Sequence, residues 1–119
     1  MTILIAEADL IESVADALQF ISYYHPMDYI RALGVAYEAE QGPAAKDAIA
    51  QILTNSRMCA EGHRPICQDT GIVTVFIKWG QQSVLDSARS LQDVVDEAVR
   101  RAYLLTEHRL RASIVADPA

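Results

Sequence analysis

Residues 61–80 read EGHRPICQDTGIVTVFIKWG and divide two unlike stretches of chain. Upstream, apolar residues recur at helical spacing. Downstream, Ile72 to Trp79 is rich in β-branched and aromatic residues and apolar on both faces. That pattern predicts a buried strand, with Trp79 in the core and Gly80 ending it. Gly62 is the expected C-terminal cap of the helix before it. Pro65–Gly71 is then a loop. The fold class this implies is α+β, a helical front packed on the beginning of a mixed β-sheet.

Working outward, Asp9 with Glu12 reads as a capping-box variant, followed by Ile11, Val14, Leu18 and Ile21 at helical spacing. This helix is expected to end near Ser22–Pro26, because proline disfavours helical geometry at His25. Pro26 suits the first position of a second helix, with Ile30, Leu33 and Tyr37 on its apolar stripe and a stop near Gly42. Pro43 opens a third helix, in which Ile49, Ile52, Ser56 and Cys59 share a face. Beyond Gly80, Ser90 with Asp93 marks a further helix start. Leu91, Val95, Ala98, Ala102 and Leu105 continue from it at steps of four and three. LRASIVADPA, residues 110–119, reads as a second short strand and a turn. Two strands make a thin sheet, so residues 1–119 are expected to be a piece of a larger domain.

The composition narrows the function classes. Half of the 119 residues are hydrophobic (51%), which supports a packed core. No apolar run approaches the roughly 20 residues of a membrane span. The N-terminus lacks the basic and long apolar segments of a secretory signal, so the expected compartment is the cytoplasm. The net charge of −6 and the absence of a basic run argue against nucleic acid as a partner. Single arginines (Arg57, Arg64, Arg100, Arg101, Arg109 and Arg111) remain available for local anion sites. The two cysteines, Cys59 and Cys67, have neither zinc-ribbon nor CxxC spacing, which disfavours a thiol redox protein. Apolar surface left uncovered on a partial domain predicts self-association, a homodimer or larger.

The loop concentrates chemistry. Cys67 is followed by an amide, a carboxylate, a hydroxyl and a glycine that permits close backbone approach. The residues alone allow two readings of Cys67, a buried structural thiol or a ligand in a site. They allow two of QDTG as well, a side-chain-capped turn or a pocket wall. Cys59, on an aliphatic helical face, reads as core. His25 and His63 flank helix ends and read as packing or capping residues, and His108 as exposed.

AKDAIAQILTNSRMCAEGHRPICQDTGIVTVFIKWG (45–80) closely resembles the N-terminal part of the alpha-type region of class I, iron–sulfur-dependent fumarate hydratases. The related L-tartrate dehydratases share the general pattern. SVADALQFISYYHPMDYIRALGVAYEAEQ (13–41) and VRRAYLLTEHRLRASIVADP (99–118) are similar to the same family in the same order. The resemblance implies a hydro-lyase that hydrates fumarate reversibly to (S)-malate, a step of the tricarboxylic acid cycle. It implies a [4Fe–4S] cluster held by three cysteines, one of them Cys67, with a fourth iron open to substrate. It places Gln68 and Asp69 at the substrate pocket. Asp69 is the candidate catalytic residue, either handling a proton or orienting the substrate hydroxyl. Arg111 matches an arginine assigned to a substrate carboxylate. Members are far longer, so the resemblance implies that residues 1–119 are an N-terminal fragment, that the other two cluster cysteines lie beyond residue 119, and that the fragment alone neither holds a cluster nor turns over. The alternatives are L-tartrate dehydration and a non-catalytic assembly or regulatory domain.

Overall fold

The computed structural model describes residues 1–67, 72–104 and 110. The chain divides into two compact units, one of Met1–Gln19 with Asp69–Ala119 and one of Phe20–Gln68. The architecture is α+β, as expected: among the described residues there are four helices and one two-stranded sheet.

In the first unit, β1 (Ile3–Ala6) pairs with β2 (Ser83–Asp86) in parallel, Ile3 opposite Ser83 and Ala6 opposite Asp86. The Ile3 amide donates to the Gln82 carbonyl at 2.8 Å. Neither strand was expected from the sequence. Each has four residues, and β1 runs without a turn into α1 (Glu7–Tyr23), so its alternation is too short to stand apart from the helical pattern that follows. Helix α1 therefore starts at Glu7, and Asp9 and Glu12 lie inside it rather than at its cap. The Arg89 side chain and the Ser87 hydroxyl, both just past β2, bond to Glu7; Arg89 Nε lies 3.0 Å from the carboxylate. The hydrogen bonds from Arg89 first, and from Ser87 second, hold this carboxyl below its ordinary pKa range.

The core of this unit lies between the start of α1 and α4 (Leu91–Leu104). Ile11, Val94 and Ala98 form its buried cluster, with Leu10, Val14 and Leu85 packed against it. Buried residues on α4 fall at 94, 95, 98, 99, 102 and 103, the stripe of a helix with one apolar face. The expected start of α4 at Ser90 and Asp93 holds. Ser90 Oγ accepts from the Asp93 amide at 3.1 Å, and Asp93 Oδ2 accepts from the Ser90 amide at 3.3 Å and from its hydroxyl at 2.7 Å. This reciprocal box satisfies amides that the first turn leaves without helical partners. Ser90→Ala is expected to lower stability by about 1 kcal/mol in urea unfolding; an unchanged midpoint would show that the cap contributes nothing.

Residues 72–80 depart from expectation. They pair with no strand among the described residues, and Ile72 and Phe76 are 94% and 92% exposed. β-propensity expresses fit to a pleated surface between neighbours, and without a paired neighbour it makes no strand. Val73, Thr74, Val75 and Ile77 line an open cavity of about 430 Å³ with Leu91, Val95 and Val99 of α4. Trp79 is not core. It is partly exposed, and its indole N–H donates to the Ser83 carbonyl at 2.8 Å. The second expected strand, 110–119, lies outside the described residues apart from Leu110, which is buried.

The second unit holds the end of α1, α2 (Met27–Ala39) and α3 (Pro43–Gly62). Helix α1 ends at Tyr23, where the proline rule placed its end. Pro26 occupies the N-cap of α2 rather than its first turn. Helices α2 and α3 pack on each other, and Lys46 Nζ sits 4.6 Å from the centre of the Tyr37 ring. At the end of α3 the left-handed residue is His63 (φ 48°), not Gly62, which is the last helical residue. Side-chain contacts explain why the cap falls there. The His63 ring stacks on Tyr23 (5.5 Å between centres, 6° between planes), and its Nε2 pairs with the Tyr24 hydroxyl at 3.0 Å. A glycine offers neither contact.

Candidate functional site

The loop after α3 is fixed by backbone bonds. The Arg64 amide donates to the Cys59 carbonyl at 3.1 Å, and the Ile66 amide to the Ser22 carbonyl at the end of α1 at 2.9 Å. Two α3 side chains hold the loop carbonyls. Cys59 Sγ donates to Pro65 O at 3.4 Å, and Asn55 Nδ2 donates to Ile66 O at 2.9 Å. Cys67 follows at once, exposed and free of any disulfide.

Cys59 is buried, as its helical face predicted, and is also a free cysteine. Its surroundings are not only aliphatic. The thiol faces the Pro65 carbonyl and, at 3.6 Å, Asn55 Oδ1. The face expected around it is buried only in part, at Ser56 and Cys59; Ile52 is exposed. His25 and His63 have the packing roles read from their positions. His25 Nδ1 and Ser56 Oγ share a hydrogen bond at 2.9 Å, and the His25 ring stacks on Tyr29. Burial, with a smaller effect of Tyr24, raises the Tyr23 phenol above its usual range.

Of the candidate site residues, only Cys67 is described. Gln68, Asp69 and Arg111 lie outside the described residues, as do Arg109 and His108. Three arginines that the charge pattern left open for anions are engaged with carboxylates: Arg57 with Glu61, and Arg100 and Arg101 with Glu97. Among the described residues, no three His, Cys, Asp or Glu side chains are grouped to hold a metal ion. Among them, too, no helix is long and apolar enough to cross a membrane.

The profile of the family described as fumarate hydratase (Fumerase) matches residues 11–119. The chain belongs to the fumarate hydratase family. Within that family it is 29% identical over 102 residues to a putative L(+)-tartrate dehydratase subunit alpha of Methanocaldococcus jannaschii, covering 86% of this chain and 35% of that protein. It is 30% identical over 108 residues to the L(+)-tartrate dehydratase subunit alpha of Escherichia coli, covering 91% of this chain and again 35% of that protein. The chain thus spans about a third of the length of the curated relatives it matches. The family match runs through the Cys67 loop and both helices that hold it.

Proposed function

We propose that residues 1–119 form the N-terminal part of the alpha-type catalytic region of an iron–sulfur hydro-lyase that interconverts fumarate and (S)-malate. The observation that carries this reading is the exposed free thiol of Cys67, at the end of a loop fixed by α1 and α3, inside the region of family match. A [4Fe–4S] cluster bound through three thiolates needs three cysteines, and this chain has two. Cys59 is buried with its thiol turned to a loop carbonyl, so it does not fit. Cys67 fits one corner of such a cluster, and the remaining thiolates come from chain beyond these 119 residues.

When bound, the cluster supplies Lewis acidity toward the hydroxyl that leaves malate. The rest falls to side chains. Gln68 and Asp69, next to Cys67, are proposed to line the pocket, with Asp69 moving a proton or orienting the hydroxyl. Arg111 is proposed to hold a substrate carboxylate through two parallel hydrogen bonds. In a chain of net charge −6, attraction of a dianion has to be local.

The names of the relatives favour a second reading, dehydration of L-tartrate. Their designation as alpha subunits also favours an assembly with a different second subunit over a homodimer alone. The test is an anaerobic assay of the protein from the whole reading frame, with its partner subunit where one is encoded, on fumarate and on L-tartrate. A kcat/KM higher for fumarate supports the first reading. A preference for tartrate replaces it with the second. Turnover of neither would leave the domain an assembly or regulatory module.

A further inference from the structure

We propose that Asn55 is a positioning residue for Cys67: by holding the Ile66 carbonyl, its amide fixes the peptide plane from which the Cys67 thiol is presented. The inference rests on the reading of Cys67 as a cluster ligand. The Ile66 carbonyl belongs to the peptide unit whose nitrogen is that of Cys67, so a bond to it sets the direction in which Cys67 leaves the loop. Both polar backbone groups of Ile66 are taken, the amide by Ser22 O and the carbonyl by Asn55 Nδ2, each at 2.9 Å. Two helices therefore hold one residue from opposite polar ends.

Asn55 also stands out on its own helix. It is exposed in the interior of α3, where asparagine is a poorer helix former than alanine. Exposed polar neighbours on α3 bond within the helix, Gln51 to Asp47 and Arg57 to Glu61. Asn55 instead reaches a carbonyl eleven residues ahead. Its other end faces the Cys59 thiol, which holds the preceding loop carbonyl, that of Pro65. Apart from that contact with Cys59, a helix-weakening residue at an exposed position has its use in the loop, on the residue before the candidate ligand.

The first measurement uses the reduced, metal-free 119-residue chain. Asn55→Ala is expected to raise the rate at which Cys67 reacts with a disulfide reagent or alkylating agent and, by removing one of the two bonds that pin Ile66, to speed exchange of the Ile66 amide bonded to Ser22 O by up to about tenfold, the most that one net hydrogen bond carries. Exchange in the middle of α2 and α4, and the unfolding midpoint, should stay put, because the site is exposed and alanine favours the helix. Asn55→Gln, which keeps the donor, should restore most of the protection. A Cys67 reactivity unmoved by Asn55→Ala overturns the proposal, as does a rise in exchange shared equally by all helices. The second measurement uses the protein from the whole reading frame, reconstituted anaerobically with iron and sulfide. Asn55→Ala should lose its cluster to a chelator several-fold faster than the parent, with Asn55→Gln in between; equal rates overturn the proposal. A cluster that survives Cys67→Ala instead overturns the ligand reading, so the two failures are told apart.

Discussion

Cys67→Ala in the protein from the whole reading frame is expected to abolish both the [4Fe–4S] absorption and turnover. A cubane cluster bound through three thiolates has no spare anchor, and losing one removes a strong Fe–S bond and opens iron to water and oxygen. The proposed chemistry depends on that metal, so activity should fall to background rather than by a small factor. The chain supplies its own control. Cys59→Ala removes the other thiol, which is buried against Pro65 O and Asn55 Oδ1. It should keep the cluster, with a stability cost of about 1 kcal/mol for the lost contacts. The 119-residue chain reconstituted alone should show no stable cluster absorption and no hydration of fumarate. Full activity in the Cys67→Ala protein would remove Cys67 from the ligand set, and turnover by the short chain would show that it is complete for catalysis.

Ile11→Ala carries the largest expected cost in stability, about 2–5 kcal/mol. Ile11 is only 2% exposed and closes a small core with Val94 and Ala98, both at 0%. Removing its outer carbons leaves a void between α1 and α4, beside a helix start that the Glu7 side chain ties to Arg89 and Ser87. Against a net stability of about 5–15 kcal/mol for ordinary domains, a loss of this size is a large fraction. Val35→Ala on α2, where the side chain is 70% exposed, is the comparison and should stay within about 0.5 kcal/mol. The check is the urea midpoint at constant slope. Equal shifts in the two variants would show that the Ile11 cluster is not the core of its unit.

The sequence located the helices because their signals are local. Pro26 and Pro43 punctuate the front half, and the helix start read at Ser90 and Asp93 is a reciprocal capping box in the structure. Boundaries slipped where the deciding contact came from elsewhere in the chain. Gly62 is the residue that backbone freedom favours for a left-handed cap, yet His63 takes the position, since its ring meets Tyr23 and Tyr24 forty residues earlier. The candidate site was read from Cys67 and its neighbours, of which only Cys67 is among the described residues, and nothing in the pattern pointed to Asn55. Its use is a bond to a loop carbonyl, and main-chain acceptors leave no trace in residue identity.

By itself, then, the sequence determined the helical front, the buried place of Cys59, the loop that carries Cys67 and the family to which the chain belongs. Each depends on residue type at short spacing or on a contiguous motif. Only the tertiary structure decided which segments pair. It chose the four-residue runs Ile3–Ala6 and Ser83–Asp86 over the long apolar run at 72–79. The reason is that a strand exists through hydrogen bonds to a neighbour, and the neighbour lies about eighty residues away, where no local pattern records it. The same distance separates Glu7 from Arg89, and for the same reason the anchor of α1 could be seen only once the chain had folded.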